Sequence, residues 1–337
     1  MGLAFERFGS GQPLVLLHGL GHRRQAWGAV AGLLAPYRDV ILVDLPGHGQ
    51  SPPLRPRGQP AVKVLLREVV GLLDELGLAR PHMGGSSLGG RLALEVAARG
   101  RAASVTALSP AGFWTRDREL AYVKGVFWAM YSAGAALRPL GPALAGSTAG
   151  RAASVTALSP AGFWTRGGEL GYVRGVFGVM SSAGAVLRPA GGVLAGCTAG
   201  RAVLYAAIVA RPSRVSAGQA AGDLAAFVRA RPAVRAILAE AFPFGARVPA
   251  GVPVTVGWGT RDLLLPPRQA LVAAARLPGA RVVWLPGCGH VPMTDDPALV
   301  AEVLLAGSRL PAPAAAVPAA GPGPGAGAGV RPAGGPP

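Results

Sequence analysis

Short runs of hydrophobic residues recur along the chain and predict buried strands. They are Leu14–Leu17, Val40–Val43, Ser104–Leu108, Val254–Trp258 and Val282–Leu285. The first two runs contain no polar residue, which is typical of parallel strands that helices cover on both faces. The sequence therefore predicts an α/β fold with a mostly parallel central sheet flanked by helices. Leu3–Phe8 adds one abbreviated early strand.

Apolar residues at helical spacing predict helices between and after these strands. The expected helices are Gln25–Leu34, Arg91–Arg99, Leu120–Leu137, Leu170–Leu187, Arg201–Ala210, Ala220–Ala230, Val234–Phe242 and Ala298–Leu305. Asp295 and Asp296 are expected to begin the last of them, because acidic residues favour the first turn of a helix.

An internal repeat interrupts this pattern. Residues 101–150 and 151–200 are near copies that differ at 12 of 50 aligned positions. Two units are too few for a solenoid, so the repeat indicates a tandem duplication within one fold. The sheet has one position for this strand, and we expect Ser104–Leu108 to fill it while Ser154–Leu158 is extruded. The reverse assignment is the alternative.

The repeat and the composition together divide the chain into four parts. We expect a first core part at 1–111, a helical cap region with the repeat at 112–247, a second core part at 248–307, and a disordered tail at 308–337. The tail consists almost entirely of Ala, Pro and Gly, which cannot bury a core.

Charge and cysteine content limit the class of protein. The formal net charge is +17, but lysine occurs only at Lys63 and Lys124, and the arginines are scattered without a run of five basic residues. This distribution does not indicate a nucleic-acid partner. Two cysteines and no secretory signal favour a cytoplasmic location. The uncharged stretches before the tail are too short for a membrane span.

The stretch Gly85-Ser86-Ser87-Leu88-Gly89 carries the first candidate chemistry. A serine between two glycines, with a strand before it and a helix after it, is typical of a sharp turn that exposes a nucleophilic hydroxyl. Centring the pattern on Ser86 would require a glycine at position 88, which is leucine. The alternative interpretation is a glycine-rich turn with a solvated serine.

Two further motifs precede this stretch, namely His18-Gly-Leu-Gly-His22 and Asp44-Leu-Pro-Gly-His-Gly-Gln-Ser51. In this order and spacing, the three motifs resemble the α/β-hydrolase fold family over roughly residues 3–112 and 250–307. The resemblance implies that Ser87 is the nucleophile and that the backbone N–H groups of Leu20 and Leu88 form the oxyanion hole. His18, His22 and His48 are expected to be structural, and Asp44 to form a turn.

The C-terminal half supplies the remaining candidates. Asp262 and His290 follow consecutive late strands, and the resemblance implies that they are the acid and the base of a Ser–Asp–His triad in the chain order of this fold. Asp262 could instead be a turn residue, and His290 a lone polar residue. Cys288 lies near His290 without a base of its own and is interpreted as incidental.

These residues together predict a serine hydrolase that cleaves an ester-like bond of a small apolar molecule through an acyl-enzyme. The alternatives are acyl transfer, C–C bond hydrolysis or perhydrolysis with the same triad, or a catalytically inactive binding protein whose pocket the duplication disturbs. The sequence contains no metal-ligand cluster, P-loop or dinucleotide fingerprint, so no metal or cofactor is expected.

Overall fold

Strands alternate with helices along the protein. A computed structural model describes residues 2–114, 121–126, 196–240 and 243–309. The strands are β1 (Phe5–Gly9), β2 (Pro13–Leu17), β3 (Asp39–Val43), β4 (His82–Ser86), β5 (Ser104–Leu108), β6 (Val254–Gly259) and β7 (Arg281–Leu285). The helices are α1 (Gly28–Leu34), α2 (Ala61–Glu75), α3 (Leu88–Ala98), α4 (Thr198–Tyr205), α5 (Ala217–Ala239), α6 (Arg268–Arg276), α7 (Pro292–Asp295) and α8 (Pro297–Gly307).

The described strands form one seven-stranded sheet in the order β1-β3-β2-β4-β5-β6-β7. β1 is an exposed edge strand that runs antiparallel to β3, whereas all other neighbours are parallel. Strands β4, β5 and β6 are buried along their whole length. Such burial requires cover on both faces, and the predicted α/β fold with a mostly parallel sheet is confirmed.

The helices cover the sheet in packed pairs. α1 packs against α8, and α2 packs against α3. Helices α2, α6 and α7 add to those predicted from the sequence. Since the carboxyl ends of parallel strands meet at one edge of a sheet, the loops after β2, β4, β6 and β7 share one rim, which is where ligands bind in such folds.

Helix α5 corrects the sequence prediction. One helix was expected on each side of Pro232, but a single helix of 23 residues runs through this proline. An internal proline costs about 3 kcal/mol because it removes a hydrogen bond and crowds the preceding turn. Ala230, Ala233 and Val234 are almost completely buried around it. Their packing offsets the cost, so the helix continues.

The region between β5 and β6, here called the β5–β6 insertion (residues 109–253), contains the repeat. The strand of the first copy, β5, pairs with β4 and β6. It therefore occupies the sheet position expected for it. The corresponding 154–158, the predicted helix 170–187 and most of the predicted helix 120–137 lie outside the described residues, although 121–126 are helical.

The last described residues belong to the packed part of the protein. Ser308, placed at the start of the predicted tail, is buried, and its hydroxyl accepts hydrogen bonds from the Arg38 guanidinium at 3.0 and 3.2 Å. Residues 310–337 lie outside the described residues. Within the described part of the chain, no helix combines the length and the apolar character needed to cross a bilayer.

Candidate active site

Ser87 lies in a sharp turn between β4 and α3, here called the serine turn (residues 85–89). Its backbone is in an unusual conformation, with φ 53° and ψ −112°. Three hydrogen bonds hold it there: its N–H donates to the carbonyl of Leu108, and its own carbonyl accepts from Arg91 and Ala111. A non-glycine residue with positive φ is strained, and such strain persists only where surrounding contacts impose it.

The two glycines of the serine turn are required by close backbone approach. A Cβ on Gly85 would lie 2.3 Å from the Gly89 backbone, and a Cβ on Gly89 would lie 2.1 Å from the carbonyl oxygen of Leu17. Neither neighbour is a side chain that could move aside. The spacing of the motif is therefore a packing requirement of the turn from strand to helix.

His290 and Asp262 form a buried pair on neighbouring loops. Asp262 lies in the acid loop (residues 260–267) after β6, and His290 lies in the histidine loop (residues 286–291) after β7. The Nδ1 atom of His290 is 2.8 Å from Oδ2 of Asp262. Since a carboxylate accepts hydrogen bonds, the imidazole donates through Nδ1 and keeps Nε2 as the atom that can take a proton.

The other carboxylate oxygen of Asp262 is held by its own loop. Oδ1 accepts hydrogen bonds from the N–H groups of Leu264 and Leu265 at 3.0 and 2.7 Å. The indole of Trp258 donates to the Leu265 carbonyl at 2.9 Å. One carboxylate oxygen thus fixes the acid loop, and the other accepts the hydrogen bond from His290.

Ser87 and His290 line the same cavity, whose empty volume of about 380 Å³ includes the space open to solvent. A second cavity of about 540 Å³ shares Leu20, Ser87 and Leu264 with the first. Apart from Ser86, Ser87, His22, His290 and Arg91, the lining residues of both cavities are glycine or hydrophobic. Those from the β5–β6 insertion are Ala111, Trp114, Val123, Ile208, Phe227, Ile237 and Leu238.

Leu20 and Leu88 lie beside the nucleophile candidate. Leu20 lies in the loop after β2, and the two residues line the second cavity together with Ser87. A Cβ on Gly19 would lie 3.4 Å from the Cβ of Ser87, which shows how closely this loop approaches the serine turn. Leu88 is the first residue of α3, so its N–H has no partner within the helix.

Two buried histidines join the loop after β2 to the loop after β3. Nε2 of His18 accepts from the N–H of Leu45 at 3.0 Å, and Nε2 of His48 accepts from the N–H of Gly21 at 3.1 Å. Both rings must be neutral to accept in this way. Burial lowers the pKa of His48 to about 4 and, together with the proximity of His48, lowers the pKa of His18 well below its usual value. The two residues are structural, as expected.

Asp44 has the turn-forming place expected of it. It is completely buried, and its carboxylate accepts from the N–H groups of Arg24 and Gln50 at 2.7 and 2.9 Å and from the Arg24 guanidinium. A Cβ on Gly49 would collide with this carboxylate. Asp44 therefore organises the loop after β3.

His22 lies closer to the candidate chemistry than the sequence indicated. It lines the cavity that contains Ser87 and His290, and its Nδ1 is 3.4 Å from the Leu20 carbonyl. Burial lowers the pKa of His22, while the nearby carboxylate of Asp223 acts in the opposite direction. The sequence motif contained this histidine but did not indicate that it lines the cavity.

Asp295 corrects a second expectation. Asp296 caps α8, accepting from the Leu299 N–H at 3.0 Å, as predicted for a residue that begins this helix. Asp295 instead is buried and points away from α8 toward the histidine loop and the β5–β6 insertion. Two adjacent aspartates look equivalent in a sequence, and only the tertiary contacts separate them.

Cys288 contributes its backbone to this arrangement, since its carbonyl accepts from the Arg261 N–H of the acid loop at 2.9 Å. Burial raises the pKa of Cys288 to about 11, so the group is a thiol at neutral pH and a poor nucleophile. Cys197 caps α4 by accepting from the Gly200 N–H at 3.3 Å. Among residues 2–114, 121–126, 196–240 and 243–309, no three His, Cys, Asp or Glu side chains cluster as metal ligands would.

Comparison with known sequences identifies relatives that match different lengths of this chain. The family model for the alpha/beta hydrolase fold matches residues 12–297. An uncharacterised protein of Mycobacterium tuberculosis is 30% identical over 306 residues, which cover 89% of this chain and 76% of that protein. The dihydrolipoyllysine-residue acetyltransferase component of the acetoin cleaving system of Pseudomonas putida is 42% identical over 111 residues, 32% of this chain and 30% of that protein.

A third relative has an esterase name. The pimeloyl-[acyl-carrier protein] methyl ester esterase of Aeromonas hydrophila is 41% identical over 97 residues, 29% of this chain and 36% of that enzyme. The chain therefore matches about a third of the length of the esterase and of the Pseudomonas protein.

Solved structures with the same fold cover most of the chain. A thermophilic esterase from Thermogutta terrifontis superposes with a TM-score of 0.58 at 19% identity, covering 90% of this chain and 92% of that one. The enol-lactonase from Burkholderia xenovorans superposes with a TM-score of 0.56 at 21% identity, covering 90% and 95%. At these identities the likeness concerns the fold.

Proposed function

Since this chain belongs to the α/β-hydrolase fold family, we propose that it is a serine hydrolase that cleaves an ester-like bond of a small apolar molecule through an acyl-enzyme. One observation carries the proposal. The cavity lined by Ser87, at the strained apex of the serine turn, is also lined by His290, whose ring is oriented by Asp262. A nucleophile, a base and an orienting acid are the parts that such chemistry requires.

In the proposed first step, His290 acts as general base. Nε2 takes the proton of the Ser87 hydroxyl while Oγ forms a bond to the substrate carbonyl carbon, and the carbonyl π electrons move to oxygen. Collapse of this intermediate breaks the bond to the leaving oxygen, which takes the proton back from His290. The Asp262 carboxylate holds the required tautomer and offsets the imidazolium charge.

The oxyanion is assigned to the N–H groups of Leu20 and Leu88. The placement of Leu88 at the start of α3, where its N–H lacks an intrahelical partner, supports this assignment. Preset backbone donors stabilise a developing negative charge by about 3 to 4 kcal/mol per donor, because they need no reorganisation when the charge forms.

Deacylation repeats these steps with water as the nucleophile. His290 removes a proton from the water, the new bond forms at the acyl carbon, and the Ser87 oxygen leaves with the proton that His290 returns. The products are the free acid and the regenerated enzyme.

The substrate preference is inferred from the cavity walls. Ile208, Phe227, Ile237 and Leu238 of the β5–β6 insertion contribute hydrophobic side chains beside Ser87. Such walls favour an apolar acyl or alkyl group, and this supports the interpretation of residues 112–247 as a cap. Acyl transfer, C–C hydrolysis and perhydrolysis would use the same triad, and product analysis separates them from ester hydrolysis.

The test uses a fluorophosphonate probe and a panel of p-nitrophenyl esters of increasing acyl length. We expect the full-length protein to be labelled at Ser87 and to hydrolyse the esters. Ser87→Ala should abolish labelling and lower kcat by about 10⁶-fold, because the nucleophile is lost. The neighbouring Ser86→Ala is the matched control and should still be labelled. Folded wild-type protein that never reacts would support the inactive binding protein instead.

We also propose that residues 151–200 are a tandem duplicate and that the fold needs only one copy, with residues 147–150 taking the place of residues 197–200 at the start of α4 when the second copy is removed. The support is that β5, from the first copy, already occupies the position between β4 and β6. A chain lacking 151–200 should keep or exceed the wild-type melting temperature and still react with the probe. A large fall in melting temperature would contradict the proposal.

A further inference from the structure

Asp295 is a buried carboxylate for which the catalytic proposal has no use. It is completely inaccessible to solvent, at the end of the short helix α7. Oδ2 accepts from the N–H groups of Gly289 at 2.8 Å and Ala210 at 3.0 Å, and Oδ1 accepts from the N–H of Arg211 at 2.7 Å. One carboxylate therefore satisfies three backbone donors from two segments that are far apart in the sequence.

Other contacts reinforce this junction between the histidine loop and residues 208–214 of the β5–β6 insertion. The N–H of Val291 donates to the Ile208 carbonyl at 2.8 Å. The guanidinium groups of Arg211 and Arg214 both donate to the backbone carbonyl of Asp295. A Cβ on Gly289 would lie 2.8 Å from the Ala210 nitrogen, so only glycine allows this approach.

His290 lies between two residues whose backbone N–H groups take part in this junction. The residues on either side of it, Gly289 and Val291, have their N–H groups bonded to Asp295 and to Ile208 respectively. The backbone of His290 is thereby held from both sides. Ile208 also lines the cavity that Ser87 and His290 share, so the segment that holds the histidine also shapes the pocket.

We propose that Asp295 is a positioning residue for His290, and that it couples the segment 208–214 of the β5–β6 insertion to the base of the triad. This inference rests on the proposed serine hydrolase function. Its premise is geometric: a general base must lie within hydrogen-bond reach of the hydroxyl it deprotonates. A displacement of about 1 Å at such a position costs about 100-fold in rate.

Two substitutions remove different amounts of this support. Asp295→Ala leaves three buried N–H groups without an acceptor, and the histidine loop has to move to satisfy them. Asp295→Asn can keep its oxygen toward Gly289 and Ala210, but its amide then faces the Arg211 N–H, donor against donor. We expect kcat to fall about 100-fold in the first variant and about 10-fold in the second, with a smaller change in KM.

The matched control is Asp296→Ala. This neighbouring aspartate caps α8, where its carboxylate accepts from the Leu299 N–H at 3.0 Å. Loss of a helix cap lowers the melting temperature, but the turnover of each folded molecule should remain that of the wild type. Full-length variants are compared by kcat per active site titrated with the fluorophosphonate, by its labelling rate, and by melting temperature.

The results separate the two proposals. Lower kcat and slower labelling in Asp295→Asn, with wild-type turnover in Asp296→Ala, support a positioning role. Wild-type turnover and labelling in folded Asp295→Asn would overturn it. If Asp295→Ala does not fold, Asp295→Asn decides alone. Wild-type protein that neither labels nor turns over would instead overturn the hydrolase proposal itself.

Discussion

The serine turn and the histidine loop reach the same cavity by different means. The serine turn has a local sequence signature: two glycines mark it between the end of β4 and the start of α3, and backbone atoms of β2, of β5 and of the loop after β5 hold it. The histidine loop depends on partners that are distant in sequence. Asp262 lies 28 residues away, and segment 208–211 of the β5–β6 insertion about 80 residues away.

This difference teaches how a catalytic group can be specified. A strained turn persists only where its surroundings impose it, so the glycines permit the serine turn and the neighbouring backbone fixes it. The histidine loop needs hydrogen bonds from several elements, and its position is sensitive to each of them. Substitutions at the glycines of the serine turn should therefore unfold the protein, whereas substitutions at the partners of the histidine loop should lower the rate in a folded protein.

Among the substitutions that test how the two loops are held, the largest effect is expected at Asp262, the partner of His290. In Asp262→Asn, the side-chain oxygen can keep its bonds to the Leu264 and Leu265 N–H groups, but the amide then faces Nδ1 of His290. The imidazole must accept through Nδ1 and carry its proton on Nε2, which is the wrong tautomer for a base. We expect kcat to fall about 10⁴-fold with little change in melting temperature.

Steady-state kinetics on the ester panel, with melting temperature measured in parallel, check this expectation. The control is Asp39→Asn, which removes an exposed ion pair with Arg7 far along the sheet and should leave kcat unchanged. Wild-type kcat in Asp262→Asn would show that the acid loop does not orient the histidine.

The next effect is on the nucleophile side. In Gly89→Ala the new methyl group would lie 2.1 Å from the carbonyl oxygen of Leu17, a backbone atom of a central strand. The serine turn has to open, and we expect the free energy of unfolding to fall by more than about 3 kcal/mol, with labelling of Ser87 lost at the same time.

Urea unfolding and fluorophosphonate labelling measure the two losses. Gly71→Ala in α2 is the matched control, because a Cβ there meets nothing within 4 Å. It should raise the free energy of unfolding by about 0.5 to 1 kcal/mol, the usual gain for alanine over glycine in a helix. Equal stability of Gly89→Ala and wild type would refute the packing requirement for glycine at this position.

The smallest expected effect concerns His48, which joins the loop after β2 to the loop after β3. Burial lowers the pKa of His48 to about 4 in the folded protein, whereas an unfolded histidine titrates near 6.5. The unfolded state therefore binds more protons between these values. The contribution of neutral His48 to the free energy of unfolding is complete above pH 6.5. It is lost as the pH falls toward about 4, and this loss is at most about 3 kcal/mol.

Urea unfolding at several pH values, compared with His48→Gln, checks this sign. The introduced glutamine cannot titrate but can offer an acceptor to the Gly21 N–H. The free energy of unfolding should therefore decline less steeply between pH 6.5 and 4, and the difference in slope should correspond to at most one bound proton. His82, whose pKa burial also lowers to about 4, lies at the opposite end of β4 and contributes to the decline in both proteins. An identical decline in both would show that His48 is not the titrating group.

Much of the fold followed from the sequence because five of the seven described strands are marked by largely hydrophobic runs. The sequence also located the loops that carry Ser87, Asp262 and His290. It did not indicate the continuity of α5 through Pro232, since the compensating packing of Ala230 and Val234 is tertiary. The sequence also did not indicate that His22 lines the cavity, because a loop motif does not show which other loops lie next to it.

The sequence by itself determined the order of the strands along the chain, the glycine spacing of the serine turn and the loops at which candidate chemistry would lie, since these depend on local backbone preferences and on hydrophobic runs. Only the tertiary structure decided which of two adjacent aspartates caps a helix and which one holds the histidine loop against residues 208–214. A hydrogen bond between segments about 80 residues apart leaves no local pattern, because either partner alone is an ordinary residue.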